Sequence, residues 1–295
     1  MFDAIVVGGS FAGQSAALQL ARARRRVAVV DAGARRNRFA ATSHGFLGQD
    51  GRAPGDIVAD AKAQLLAYPT VEWIDGEAAR ASGKADAFLL DTPGGDRLET
   101  RRIILSPGVT DELPAILGLR ERWGRTVFHC PYCHGYELGD GPIGVLASSS
   151  ASLHHALMLP DWGRTTLFLN DAFEPNDDER RQLEDRGVRI EAEAVAGISG
   201  EADIELSDGR VTSLAGLFTL TRTRPSSPLP EQLGCALEDG PMGPFIRTDA
   251  TAQTTVPGVF AAGDAARAVG SVAFAVAGGA MAGAGTHRSL MFGLG

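Results

Sequence analysis

The first thirty-three residues constrain this chain more than any other stretch. Residues 4–9, "AIVVGG", form an apolar run, residues 10–23, "SFAGQSAALQLARA", space alanine and leucine at helical intervals, and residues 26–33, "RVAVVDAG", form a second apolar run that reaches Asp31. Strand, glycine turn, helix and strand in that order predict a βαβ unit with parallel strands. The turn keeps Gly8 and Gly13 of a G-x-G-x-x-G fingerprint, with Ser10 at the middle position. Glycines there let the chain turn tightly and let helix and strand approach, while the helix N-terminus faces a pyrophosphate. Asp31 follows about 20 residues on, where an acid accepts ribose hydroxyls. A dinucleotide site is expected here in preference to a plain βα turn.

At 295 residues the chain suits one large or two medium domains. With 44% hydrophobic residues, 22% charged and 37 glycines, it reads as a well-packed α/β protein with many tight turns. A formal charge of -8 argues against nucleic acid or an anionic membrane as a main partner. No signal-peptide pattern is evident, so the expected compartment is the cytoplasm. The Ala/Gly-rich stretch 269–285 falls short of a membrane span, and Gly279 and Gly283 predict close helix packing inside the fold. The basic cluster 22–26 closes a helix, where cations favour the dipole, whereas Arg36 and Asn37 follow Asp31 closely enough to be candidate nucleotide contacts.

Two of the three cysteines lie in "FHCPYCHGYE", residues 128–137. Thiols at i and i+3 at the start of a helical turn come near the roughly 5.5 Å Cα separation of a disulfide. Pro131 suits a first helical turn. A helix start and a neighbouring thiol lower thiolate pKa, which marks the pair as reactive. Zinc and inert structural thiols are the alternatives; zinc wants four ligands, and no second C-x-x-C or H-x-x-H is present. No metal is expected, and Cys235 reads as a bystander thiol. Further on, "PIGVLA" (142–147), a helical segment broken near Pro160, and "TTLFLN" (165–170) outline a second dinucleotide fold without its glycines. Residues 254–266, "TTVPGVFAAGDAA", give a short strand with Asp264 at its mouth, leading into a final Ala-rich helix.

The motifs "VVGGSFAG", "HCPYCHGYE" and "VFAAGDAA", in this order and at these separations, resemble the low-molecular-weight thioredoxin reductase family of flavoproteins along nearly the whole chain. That resemblance implies two Rossmann-like dinucleotide-binding domains: an FAD domain of residues 1–113 plus 240–295, and a central domain, 114–239, carrying the cysteines. It implies FAD contacts at Gly8, Gly9, Ser10, Ala12 and Gly13, at Asp31 with Ala32 and Gly33, and at Gly263 and Asp264. It further implies a homodimer, Cys133 as the flavin-facing sulfur and Cys130 as the sulfur that exchanges with substrate. The sequence departs from the family at "ILSPGV" (104–109), where an A-T-G turn is usual, and at Ser271, where an Arg-Gln pair is usual. His134 stands where an aspartate is typical, and imidazole, titrating near neutrality, is suited to take a thiol proton.

The direction of electron flow is read from what the central domain lacks. Ala147, Ser149 and Ser152 occupy the small-residue positions of its fingerprint, and "FLNDAFEPNDDE" is acidic where a 2'-phosphate would want arginines. Binding of NAD(P)H is therefore doubtful, with NADH favoured over NADPH. Both features resemble the dithiol oxidase branch, enzymes that close disulfides in natural products such as holomycin and gliotoxin. By that resemblance a substrate dithiol reduces the Cys130–Cys133 disulfide, Cys133 passes the electrons to FAD, and oxygen takes them onward as peroxide. The alternatives are an NAD(P)H- or ferredoxin-dependent reductase acting on a thioredoxin-like protein, and a flavoprotein redox sensor.

Overall fold

In the computed structural model, which describes residues 1–92 and 94–294, the opening run forms strand β1 (Phe2–Val7), with five of its six residues buried. A strand apolar on both faces belongs inside a parallel sheet. α1 (Phe11–Arg22) leads to β2 (Val27–Asp31), and α2 (Pro54–Leu66) to β3 (Val71–Asp75). A hairpin of β4 (Arg80–Lys84) and β5 (Ala87–Asp91) then delivers β6 (Arg97–Leu105). The parallel order is β3-β2-β1-β6, with β5 and β4 continuing antiparallel alongside the first half of β6.

From β7 (Val109–Glu112) the chain passes through α3 (Leu119–Arg122), β8 (Val127–Phe128) and α4 (Pro131–His134) to β9 (Asp140–Leu146). It continues as α5 (Ser152–Met158), β10 (Gly163–Phe168), α6 (Asp177–Asp185) and β11 (Arg189–Glu191). A three-stranded antiparallel sheet of β12 (Val195–Ser199), β13 (Asp203–Leu206) and β14 (Val211–Thr212) precedes β15 (Gly216–Thr219). The order β11-β10-β9-β15-β8, parallel throughout, repeats the plan of the first sheet, so both bodies are Rossmann-like.

β16 (Arg222–Pro225) returns antiparallel beside β7, so both crossings between the two bodies run through one strand pair. α7 (Leu229–Gln232), β17 (Leu237–Gly240), β18 (Gly243–Ile246), β19 (Val259–Ala261) and α8 (Val272–Phe292) complete the chain. β19 joins the first sheet beside the second half of β6. The expected boundary at residue 240 falls inside the β17–β18 hairpin, and Leu229, Leu233 and Cys235 already pack with Phe2, Ile5 and Val259 in the first body's core. The return therefore lies nearer β16, a shift the sequence did not signal because residues 226–239 carry no motif.

α8 reaches α1 through a stripe of small residues, with Ala275, Gly279, Ala282, Gly283 and Thr286 buried at helical spacing. A Cβ on Gly279 would collide with the Ala12 carbonyl, and one on Gly283 would lie 2.5 Å from the Ala16 carbonyl. Ser15 Oγ donates to the Val276 carbonyl at 2.7 Å across the same seam. Backbone meets backbone, so contact depends on the absence of side chains more than on apolar area. Gly279→Ala is expected to destabilise the fold by about 1–3 kcal/mol through overpacking, read as a lower urea midpoint. Gly278→Ala, where the added Cβ meets nothing closer than 3.8 Å, is expected to be neutral or to stabilise by up to about 1 kcal/mol.

Candidate active site

At the carboxyl end of β1 the backbone itself shapes the cavity wall. Gly8, at φ +95°, sits where a Cβ would strike the Ser106 carbonyl, and a Cβ on Gly9 would meet the Trp73 ring and come within 2.8 Å of Asp31 Cβ. Beside the turn opens a cavity of about 210 Å³. α1 points into it with Ser10 as an N-cap that makes no side-chain cap bond and with no acid in its first turn, which leaves its leading N–H groups to an anion. Asp31 Oδ1 accepts from the Gly9 N–H at 2.9 Å, which fixes the acid at the cavity wall. A diphosphate cradle with a ribose acid beside it is what FAD requires, and the residues present fit it.

The other expected contacts divide by position. Ser10, Ala12, Arg36 and Asn37 line this cavity, as do Gly263 and Asp264 from the far end of the chain. Ala32 lines an adjoining cavity of about 360 Å³ that shares Gly8, Asp31 and Arg36 with the first. Gly13 lies behind the turn, where a Cβ would strike the Gly8 carbonyl and sit 2.8 Å from Ser106 Oγ, so its task is close packing. Gly33 faces open space at φ +71° and serves as a turn. In the departure at residues 104–109, Ser106 Oγ donates to the Val7 and Gly8 carbonyls at 2.9 and 3.0 Å, pinning the glycine turn from below. Ser271, the other departure, caps α8 by accepting from the Phe274 N–H at 3.1 Å.

Arg36 spans the cavity. Its Nε and Nη2 donate to both Asp111 carboxylate oxygens at 2.9 and 2.7 Å, and its Nη1 donates to Asp264 Oδ2 at 2.8 Å. Burial alone would lower the Arg36 pKa, but the Asp111 and Asp264 partners reverse this and raise it. Burial likewise pushes Asp111 upward, and the Arg36 bonds overcome it, holding the carboxyl below its ordinary value. The fork onto a single carboxylate is the geometry guanidinium favours. Because Asp111 belongs to β7 and also accepts from Thr221 Oγ1 at 2.8 Å, the site is tied to the strand pair that joins the two bodies.

Cys130 and Cys133 form a disulfide with Cα atoms 5.3 Å apart. Pro131 starts the short helix after the N-cap Cys130, and the Gly135 N–H closes the turn onto the Pro131 carbonyl at 2.7 Å. Cys133 lines the cavity beside the FAD cradle, whereas Cys130 is not one of its walls. His134 also lines it, stacked on Phe128 at 4.2 Å between ring centroids. Neither ring nitrogen of His134 has a hydrogen-bond partner. Burial, reinforced by the charge of His44, lowers its pKa to about 4, while the nearby Cys130 carbonyl, outside hydrogen-bonding geometry, opposes the shift. The ring is therefore neutral at physiological pH, with a lone pair for a thiol proton.

The turn after β9 spends its polar groups on itself and on the neighbouring strand end. Ala147 and Ser152 are buried, Ser152 Oγ accepts from the Ser148 N–H at 3.1 Å, and Ser148 Oγ donates to the Leu220 carbonyl at 2.9 Å. Beyond β10, Asn170 Oδ1 accepts from the Val195 N–H at 3.0 Å, and Asn176 and Glu179 form a capping box on acidic α6. Residues 170–176, which follow β10, contain no arginine.

Sequence reasoning missed Ser106, Asp111, His129 and His44. All four line the cavity. His129, half-buried, also lines the cavity; desolvation, and then the Arg36 charge, lower its pKa to about 3 against the pull of Asp111. Its adjacency to Cys130 was a visible signal. Ser106 was marked only as part of the 104–109 departure, and Asp111 carried no signal, because a strand end gains its partners only after folding.

Comparison with known proteins accords with this geometry. Residues 2–279 match the pyridine nucleotide-disulphide oxidoreductase family. The chain is 31% identical to thioredoxin reductase sirT of Leptosphaeria maculans, over 97% of this chain and 94% of that one. It is 33% identical to thioredoxin reductase tcpT of Claviceps purpurea, over 95% and 92%. Among solved structures, an oxidoreductase from Agrobacterium tumefaciens superposes with a TM-score of 0.97 at 57% identity, covering 99% of both chains. HlmI superposes with a TM-score of 0.91 at 38% identity, covering 98% and 92%.

Burial of neutral imidazoles fixes the sign of a pH dependence. His134 and His155 have folded-state pKa values of about 4 against an ordinary 6.5. Between those values the unfolded chain binds protons that the folded chain refuses, so stability falls as pH drops through 6.5 toward 4 and is unaffected by these groups above it. Urea unfolding at descending pH is expected to show this loss, with His155 alone contributing about 2–3 kcal/mol at the acid end, and His155→Leu should flatten the slope.

Proposed function

The chain belongs to the pyridine nucleotide-disulphide oxidoreductase family as an FAD-dependent, thioredoxin reductase-like enzyme, and from that premise we propose that its electrons run from a substrate dithiol to oxygen. The observation that carries this reading is the turn of residues 147–152, which has none of the fingerprint glycines and in which the Ser148 N–H is already bonded to Ser152 Oγ and the Ser148 hydroxyl to the Leu220 carbonyl. With nicotinamide binding disfavoured there, the Cys130–Cys133 disulfide is the port this reading gives the electrons, and Cys133 lines the cavity beside the FAD cradle. FAD, when bound, supplies the acceptor for the pair that Cys133 delivers.

The protein's own groups divide the work. Cys130, away from the cavity wall, is attacked by the first substrate sulfur, and Cys133 is the leaving thiolate. His134, neutral and unpartnered, takes the thiol proton. Arg36 holds Asp264 at the cavity edge, where its free carboxylate oxygen is left for a ribityl hydroxyl. Molecular oxygen then removes the electron pair and leaves as hydrogen peroxide. On this reading the partner is a small-molecule dithiol or a thioredoxin-like protein, and the working unit is a homodimer in the cytoplasm. Among the described residues no helix is long and apolar enough to cross a membrane. A nicotinamide-driven reductase is the competing reading, since the curated relatives bear thioredoxin reductase names.

Anaerobic mixing of the FAD-loaded protein separates the two. Dithiothreitol is expected to bleach the oxidised-flavin absorbance and admitted air to restore it with peroxide formed, while NADPH and NADH leave it unchanged. Rapid bleaching by NADPH overturns the oxidase reading. Cys133→Ser should keep FAD bound yet lose dithiol oxidation by at least about a thousandfold; retained turnover would refute the assigned route.

A further inference from the structure

The cysteine helix belongs to one body and the FAD cradle to the other, and both crossings between them run through the β7–β16 strand pair. Electron transfer from one body to the other needs a fixed approach, because a misplacement of about 1 Å costs a reaction as much as about a hundredfold. The bonds that fix this approach form a continuous path.

On the cysteine side the path starts at β15. This strand pairs in parallel with β8, Leu217 opposite Val127 and Phe218 opposite Phe128, and the two phenylalanine rings lie 5.6 Å apart. One residue, His129, separates Phe128 from Cys130. β15 ends at Thr219, and Thr221 stands just before β16. A shift at the exit of β15 is therefore carried through the strand pair to the start of the cysteine helix.

Asp111 ties that exit to the cradle. Its carboxylate accepts from Thr221 Oγ1 at 2.8 Å and from the Arg36 fork at 2.7 and 2.9 Å, and the same guanidinium donates to Asp264 at 2.8 Å. The Asp111 side chain is 7% exposed, and Thr221 is buried. A charge pair so enclosed is costly to break. Other bonds hold the strand pair without involving β15: the Ser226 N–H donates to the Gly108 carbonyl at 3.0 Å, and the Thr223 N–H to the Met242 carbonyl at 2.6 Å. Every link from Asp264 to Cys130 is thus a direct bond, a paired strand or an adjacent residue.

We infer that Asp111 is a positioning residue for the step between Cys133 and FAD: by bonding Arg36 at the cradle and Thr221 at the end of β15, it sets where the cysteine helix stands against the cofactor. It touches no sulfur and acts through β15 and β8. The inference rests on Cys133 exchanging electrons with FAD, which the oxidase and the reductase readings both require.

The test follows two events in the FAD-loaded protein, mixed anaerobically with enough dithiothreitol that opening of the disulfide is not the slower step. Dithiothreitol closes to its own disulfide as the Cys130–Cys133 bond opens to two thiols; the cysteines then close again as FAD takes the electron pair and two protons. Opening is read by timed alkylation of Cys130 and Cys133, and the second step by bleaching of the flavin. Asp111→Asn is expected to slow bleaching about thirtyfold and Thr221→Val about fivefold. Thiols should still appear within about twofold of the wild-type rate, so that alkylation runs ahead of bleaching. The double variant should be no slower than Asp111→Asn, because both bonds lie on one path. Bleaching within about twofold of wild type in Asp111→Asn, an equal slowing of both events, or a double variant slowed by the product of the single effects overturns the inference. If Asp111→Asn sheds its flavin, Thr221→Val decides, since Thr221 lines neither cavity, and bleaching at the wild-type rate there overturns it. Bleaching of the wild-type flavin by NADPH would reject the oxidase reading separately and leave this comparison intact.

Discussion

The carbonyl oxygens of Ala12 and Ala16 on α1 lie against the backbone of α8 at Gly279 and Gly283, in space that any side chain would take. This seam joins the first helix of the chain to the last, and with it two halves of one site. β19 pairs with β6 in the same sheet that holds β1, so the Gly263–Asp264 turn is brought to the mouth of the Gly8–Gly13 turn. Alanine and glycine bury little apolar area, about 25 cal/mol per Å², so the seam holds by shape, with dispersion across many close atoms doing what large side chains do elsewhere.

Charge organises what the seam assembles. Arg36, Asp111 and Asp264 come from three distant stretches of chain, and one guanidinium satisfies both acids. Removing two carboxylates from water beside each other would be costly without it. Their mutual dependence ties the FAD-side acid to β7, and through Thr221 to the return strand, so the cavity's electrostatics and the connection between the two bodies are one structure. His129 and His134 complete the picture from the redox side: both are kept neutral by burial, one beside Arg36 and Asp111, the other against Phe128.

Local order was legible from residues. The alternation of apolar runs and Ala/Leu-spaced segments placed β1, α1 and β2 within a residue or two, and the i, i+3 cysteines foretold their 5.3 Å separation. Gly279 and Gly283 announced close helix packing. The residues that escaped notice have a common reason. Asp111, Ser106 and His44 sit on a linker strand, a strand end and a loop, where no periodicity marks a position and where chemistry is acquired only from what packs alongside. The point at which the chain returns to the first body was hidden likewise, since Leu229 and Cys235 reveal their core membership only through partners such as Ile5 and Val259.

By itself the sequence determined that this chain would build parallel βαβ units, bring a glycine turn and an acid to a dinucleotide, and carry a reactive cysteine pair. Those properties depend on neighbours within a few residues, through backbone conformation and side-chain period. Tertiary structure alone decided that Arg36 answers two acids and that His44 and His134 share a cavity. Electrostatics and proton transfer act through space over a few ångströms, and only folding brings residues 36, 111 and 264 within that range.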